Sequence, residues 1–491
     1  MSARQFSDSD SRSEIQALAA LGASASGPGM ENLFRKSVTR RSALKTLGTV
    51  SAAGLMSLTF GDRVRAASEK GRRPNIVFIL SDDHRWDYLG CAGHPFIDTE
   101  NMDRLAEEGV LFSNAFVTTS LCTPSRASFL TGQYAHTSGV KNNLTVWPNE
   151  KTTFLELLKG AGYDTAFIGK WHMPGRLPKL RGVDTFITFT VQAGQGRYFD
   201  CPLIINGVET PSRKPYITEE LTDYALEFIT KERENPFCLY LSHKAVHHQF
   251  LPPPELNHLY DDVEMPLPKE ADNWFGMTRG HMWTGIFGPV EYHMRNYCEA
   301  LVAMDRQIGR VLDKLDEMGV ADDTIVVYAG DNGYFWGEHR LVDKRWPYEE
   351  SIRIPFIVRY PRLIQEPGRT ADQMVLNIDL APSLLGMAGV TVPEDTDGES
   401  FEPILLSGEA PGRKAWLYEY FKEFPYNVPE LNAVRTETHI YVEYEGGRPP
   451  ELYDVVNDPK QMQNLFDTPG GKELLPELKN MLEALKKGER F

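Results

Sequence analysis

Residues 75–84 read Asn-Ile-Val-Phe-Ile-Leu-Ser-Asp-Asp-His: a short unbroken apolar run rich in β-branched side chains, stopped abruptly by a hydroxyl, two carboxylates and an imidazole. A run of strand length with no polar alternation predicts a strand covered on both faces, the usual state of a central strand in a parallel sheet. Thr165–Ile168, Phe237–Leu241, Thr324–Tyr328 and Pro355–Val358 read the same way. Between these runs the apolar spacing turns helical, over residues 101–108, 154–160 and 219–231. It is longest where Tyr297, Leu301, Met304, Ile308, Leu312 and Leu315 recur every three or four residues. The pattern predicts an α/β fold: a large, mostly parallel sheet sandwiched by helices.

Ligands of such sheets bind beyond the carboxyl ends of the strands. Four of the predicted strands run directly into polar clusters: Asp82-Asp83, Lys170-Trp171-His172, His243 through His248, and Asp331-Asn332-Gly333. Asp82, Asp83, Asp331 and Asn332 offer hard oxygen donors, which suit Ca²⁺ or Mg²⁺; Zn²⁺ would call for His or Cys. Taken singly, an Asp pair after a strand is as well explained by a helix cap or a solvated turn. The coincidence of four such ends favours a site.

The chain has 491 residues, 41% hydrophobic and 24% charged, which supports one large ordered domain with a smaller one. A formal net charge of −16 excludes a broad nucleic-acid-binding face, since neutralising phosphates needs a surplus of Lys and Arg. Near the N-terminus Thr39-Arg40-Arg41-Ser42-Ala43-Leu44-Lys45 precedes an uncharged run, Thr46 to Gly61, and then Val64-Arg65-Ala66-Ala67. Paired arginines, a modest apolar run and a small-residue cleavage site predict a twin-arginine export signal over residues 1–67. The run is too short and too rich in Gly, Ser and Thr for a membrane span. The mature protein is then expected in the periplasm or outside the cell, with the twin-arginine machinery as a partner. Five cysteines are few for an exported chain of this size, so no disulfide framework is expected, and the odd count leaves Cys122 as the candidate free thiol. The Pro-, Gly- and acid-rich residues 392–398 read as a linker between a catalytic region, 74–395, and a C-terminal region, 396–491. There Ala433–Thr436, His439–Tyr444 and Glu451–Asp454 predict a small antiparallel sheet, closed by a helix over Leu474–Lys487.

Leu121 to Gly132 reads LCTPSRASFLTG. Pro124 fixes a turn, Ser125 or a neighbour can cap a helix running through Leu130, and Arg126 follows Cys122 by one helical turn. An arginine beside a thiol would lower its pKa and favour a nucleophilic thiolate, although a thiolate matches poorly with a hard, calcium-like site. The plain alternative is a buried cysteine.

The stretch Cys122-Thr-Pro-Ser-Arg126-Ala-Ser-Phe-Leu-Thr-Gly132 matches C-x-P-S-R-x-x-x-L-T-G, and so resembles the signature of the type I sulfatases of the alkaline phosphatase superfamily. The resemblance extends from about Pro74 to Leu465. It takes in Asp82-Asp83, Gly169-Lys170-Trp171-His172, Lys244 through His247, Asp331-Asn332-Gly333, Gly337 through Arg345, Glu451–Asp454 and Asn457-Asp458-Pro459. It implies that a formylglycine-generating maturation enzyme oxidises Cys122 to an aldehyde. The hydrate of that aldehyde would attack the sulfur of a sulfate ester, aided by one Ca²⁺ ion held by Asp82, Asp83, Asp331, Asn332 and the modified Cys122. It also implies that Arg126 polarises the nucleophile, that Lys170 and Lys344 neutralise sulfuryl oxygens, that His247 protonates the leaving group, and that His172 deprotonates the second hydroxyl of the hydrate.

Two other activities compete with this expectation. A phosphonate or phosphate ester hydrolase of the same superfamily can share the nucleophile, though Asn332 argues against its two-zinc members, where a histidine would be expected. A non-catalytic glycan-binding relative should have lost metal or lysine positions, and none is missing. An exported, acidic sulfatase implies a sulfated carbohydrate as substrate. Asn142-Asn143 and Gln195-Gly-Arg-Tyr-Phe199 leading to Ile204-Ile-Asn-Gly207 loosely resemble N-acetylglucosamine-6-sulfatase-like members.

Overall fold

The computed structural model describes residues 73–175, 177, 180–271 and 289–491; the expected export signal lies outside them. Ten strands form the main sheet: β1 (Asn75–Ser81), β2 (Val110–Phe112), β3 (Asp164–Gly169), β4 (Thr185–Thr188), β5 (Leu203–Ile205), β6 (Val208–Thr210), β7 (Phe237–Ser242), β8 (Thr324–Gly330), β9 (Phe356–Arg359) and β10 (Arg369–Ala371). Their order is β10-β2-β9-β8-β1-β7-β3-β4-β5-β6. The central four, β8, β1, β7 and β3, are mutually parallel, and these are the strands that run into the four polar clusters. The apolar run at Pro355 becomes β9, which pairs antiparallel with both β8 and β2, because an apolar run fixes burial and leaves strand direction open.

Every residue of β1 is buried. Val77 and Ile79 pack into one core with α1 (Glu100–Glu107), and Ile76, Phe78 and Leu80 into the other with α2 (Cys122–Thr131) and α3 (Phe154–Gly160). Helices α4 (Ile217–Thr230) and α5 (Val290–Glu317) complete the first layer, and α6 (Leu380–Met387) the second. The α5 stripe read from the sequence faces inward, with Tyr297, Leu301, Met304 and Leu315 wholly buried. Each such side chain contributes about 1.5–3 kcal/mol.

The C-terminal sheet, β11 (Ala415–Tyr420), β12 (Leu431–Thr436), β13 (His439–Tyr444) and β14 (Glu451–Asp454), is antiparallel throughout. Trp416, Tyr418 and Tyr420 share a core with Phe116, Leu121 and Trp346, while α7 (Pro469–Leu485) covers the other face through Leu478 and Leu482. In residues 392–398, read as a linker, the N–H groups of Asp397 and Gly398 both donate to the carbonyl of Gly132 at the end of α2. Among the described residues no helix is long and apolar enough to cross a membrane, and all five cysteines are free.

Candidate active site

Helix α2 begins at Cys122 itself, with Leu121 as an extended N-cap and no side-chain cap. Ser125 therefore lies inside the helix, where the sequence left it as a possible cap. Pro124 sits in the first turn, where a missing N–H costs nothing, and Gly132 ends the helix in the left-handed conformation. All ten residues of α2 are buried, so Cys122 is delivered at a helix start to the ends of the central strands.

Asp82 and Asp83 leave β1, Lys170 leaves β3, and Asp331 and Asn332 leave β8; all are essentially fully buried. The close approach of β3 to β7 depends on Gly169: with φ +117°, a Cβ there would lie 1.8 Å from the Ser242 carbonyl oxygen. Lys170 bonds Asp82 Oδ2 through Nζ. Lys344 bonds Asp83 Oδ1 and lies 3.0 Å from Cys122 Sγ, which is itself 3.5 Å from Asp82 Oδ1. Arg126 donates to Asp331 Oδ2 from Nε at 2.9 Å, to the Lys170 carbonyl at 3.0 Å and to Ser242 Oγ at 2.6 Å. Asp331 Oδ1 accepts from the Asp83 N–H at 2.9 Å, and Asn332 Nδ2 donates to Asp83 Oδ1 at 2.6 Å. His247 Nδ1 is 2.8 Å from the His248 carbonyl, leaving Nε2 facing Asp83 Oδ2 at 3.7 Å. The His172 carbonyl accepts from Thr123 Oγ1 at 2.6 Å, which sets that histidine beside the start of α2. Asp83 and His172 both hold positive φ, 59° and 53°, the kind of backbone strain that concentrates at functional sites.

Three carboxylates thus face three cations in a water-poor pocket. Burial opposes ionisation of Asp82, but Lys170, His247, Arg126 and Lys344 together hold its carboxyl well below the usual range. Burial raises Asp83 to about 7, with Asp82, Asp331 and Asp343 adding repulsion against the pull of Lys344. Burial, and then the neighbouring Lys170 charge, hold both His172 and His247 well below the usual imidazole range. The prospect of a thiolate activated by Arg126 is not met: burial pushes the Cys122 thiol up in spite of Lys170 and Lys344, and the guanidinium is spent on Asp331, Ser242 and the Lys170 carbonyl.

Asp83 Oδ2 and Asn332 Oδ1 are buried without a hydrogen-bond partner, an arrangement that costs free energy unless a cation satisfies them. Asp82, Asp83, Cys122 and His247 each bring a ligand atom within 4.8 Å of the others. The donor set is dominated by hard oxygens and fits Ca²⁺. A dication would make the balanced pocket net positive, as an anionic ester requires.

Three contacts that the sequence did not foretell support the site. Ser242 Oγ bridges Arg126 to the Lys170 carbonyl, Tyr297 donates its hydroxyl to the Asp83 carbonyl at 2.9 Å, and Asn143 Oδ1 accepts from the Thr123 N–H at 3.1 Å. Tyr297 was read only as part of the α5 stripe and Asn143 only as part of a resemblance, while Ser242 is the last residue of β7. His136, further along the chain from α2, bonds Glu419 at 2.8 Å and stacks on Tyr134.

A family model described as Sulfatase matches residues 74–390, and one described as N-sulphoglucosamine sulphohydrolase, C-terminal, matches residues 337–488. The N-acetylglucosamine-6-O-sulfatase of Bacteroides thetaiotaomicron is 32% identical over 509 aligned positions, covering 88% of this chain and 90% of its own. A solved structure of a protein in complex with its substrate, D-glucosamine-2-N,6-O-disulfate, superposes with a TM-score of 0.79 at 31% identity, over 85% of this chain and 98% of that one. The phosphonate monoester hydrolase of Agrobacterium radiobacter superposes with a TM-score of 0.72 at 22% identity, over 85% and 96% of the two chains, a likeness of fold alone.

Proposed function

Because this chain belongs to the sulfatase family, with an alkaline-phosphatase-like fold, and is a sulfuric ester hydrolase, we propose that it removes O-sulfate from a sugar of a sulfated oligo- or polysaccharide, after export by the twin-arginine route. The observation that carries this reading is the position of Cys122: the head of a complete signature, buried between Lys344 and Asp82 where four strand ends meet. The relatives that act on or bind sulfated glucosamines support a 6-O-sulfated N-acetylglucosamine as the first substrate to try.

Oxidised to formylglycine, Cys122 would supply a hydrated aldehyde as nucleophile, and Asp82, Asp83, Asp331, Asn332 and that residue would hold a Ca²⁺ ion that supplies positive charge to the site. Arg126 fixes Asp331 and, through Ser242, the start of the Lys170 loop, so the reacting groups are held before substrate arrives. Lys170 and Lys344 set two ammonium groups against the carboxylates that flank the nucleophile, where they meet charge developing on the sulfuryl oxygens. His247 turns Nε2 into the pocket; with Nδ1–H on the His248 carbonyl it would protonate the departing alkoxide only as imidazolium, the form an anionic ester beside it favours, while His172, beside Thr123, would act as the base toward the modified residue as sulfate is expelled.

The test is substrate comparison on matured protein. Sulfate release from N-acetylglucosamine 6-sulfate is expected, and kcat/KM on 4-nitrophenyl sulfate should exceed that on 4-nitrophenyl phosphate by roughly 100-fold or more. A preference for phosphate or phosphonate esters would favour the phosphonate-hydrolase alternative. Binding without turnover by matured protein would favour the non-catalytic one.

A further inference from the structure

Within residues 194–198, three side chains or backbone positions touch different parts of the machinery. Gln195 Oε1 lies 2.6 Å from Lys170 Nζ. Tyr198 donates its hydroxyl to the carbonyl of His247 at 2.7 Å, and a Cβ on Gly194 would stand 3.4 Å from His172 Cα. Gln195 itself is half-buried.

An ammonium group has three donors and no acceptor. Lys170 therefore dictates which way the Gln195 amide is turned: its oxygen must face Nζ, and its NH₂ must face away. Among the described residues Nε2 has no protein partner, so a half-buried glutamine presents a fixed, unused donor from a loop that abuts Lys170 and His172. A donor held in this way reads an acceptor.

We propose that Gln195 is a two-handed recognition residue, whose Oε1 positions Lys170 and whose Nε2 hydrogen-bonds an acceptor on the sugar that carries the scissile sulfate, such as a ring-substituent carbonyl, a hydroxyl or a second sulfate oxygen. The inference rests on the sulfated-sugar reading above. It makes Gln195 a specificity determinant that an aryl sulfate, having no such substituent, cannot engage.

The experiment compares matured wild type with Gln195→Met, which removes both functions, and Gln195→Glu, which keeps an acceptor for Lys170 but has no donor. Each is assayed on N-acetylglucosamine 6-sulfate and on 4-nitrophenyl sulfate, with a thermal melt as a check on folding. The ratio of kcat/KM on the sugar sulfate to that on the aryl sulfate should fall about 10-fold in both variants, the usual effect of one lost hydrogen bond in a formed site. An unchanged ratio in either folded variant overturns the proposal, because a purely structural role would lower both substrates together. Failure of the underlying reading looks different: wild type would then cleave the aryl sulfate and leave the sugar sulfate untouched.

Discussion

Replacing Cys122 with alanine is expected to lower kcat on any sulfate ester by about 10⁴-fold or more, the scale seen when a catalytic nucleophile is removed. Cys122, at the start of α2, combines the signature position, burial and contacts to both Asp82 and Lys344. Other hydroxyls of α2 are engaged: Ser125 Oγ by Asn377, Thr123 Oγ1 by the His172 carbonyl and Thr131 Oγ1 by the Ala127 carbonyl. The substitution deletes one sulfur from a packed helix start, a cost of about 1–2 kcal/mol, so the variant should fold. Steady-state kinetics with a thermal melt on the same sample checks this. A folded alanine variant retaining a tenth of wild-type activity would remove Cys122 from the mechanism.

Lys344→Met should lower kcat by about 10²–10³-fold while KM changes much less, because its ammonium group acts mainly on charge that develops during the reaction. Lys344 is wedged between Asp83 and Cys122 Sγ, and among the described residues no other cation contacts both. Methionine keeps the bulk of the side chain and removes only the charge, leaving Asp83 with Asn332 and His247 as its polar neighbours. A variant with kcat within threefold of wild type would reassign Lys344 to a structural role balancing Asp83.

The core of this site was legible in the sequence because four unbroken apolar runs each ended in polar residues, and a buried parallel sheet converts that pattern directly into convergence. Asp82, Lys170, His243 and Asp331 begin their loops side by side because β8, β1, β7 and β3 are neighbours. Strand direction was not legible: Phe356–Arg359 is as apolar as β1 and runs the other way. Strand β11 went unread because Glu419 interrupts the apolar run Ala415–Tyr420; in the fold that carboxylate is buried and bonded to His136. Gln195, Tyr198 and Asn143 lie in stretches that the sequence marks by resemblance, with nothing in it to say what they touch. Their roles arise only when loops remote in sequence dock on Lys170, His247 and Thr123, which no periodicity records. The helix boundaries differ by a few residues, as at α7, which starts at Pro469 because Thr468 caps it by accepting from the Gly471 N–H.

The account stands or falls on the chemical state of Cys122. The most direct measurement is mass spectrometry of the peptide containing it, from protein produced with a formylglycine-generating enzyme beside a sulfatase known to be converted. An aldehyde at position 122, captured by a hydrazide and accompanied by sulfatase activity, is the expected result. An intact thiol in protein made under conditions that convert the control would contradict the mechanism at its first step.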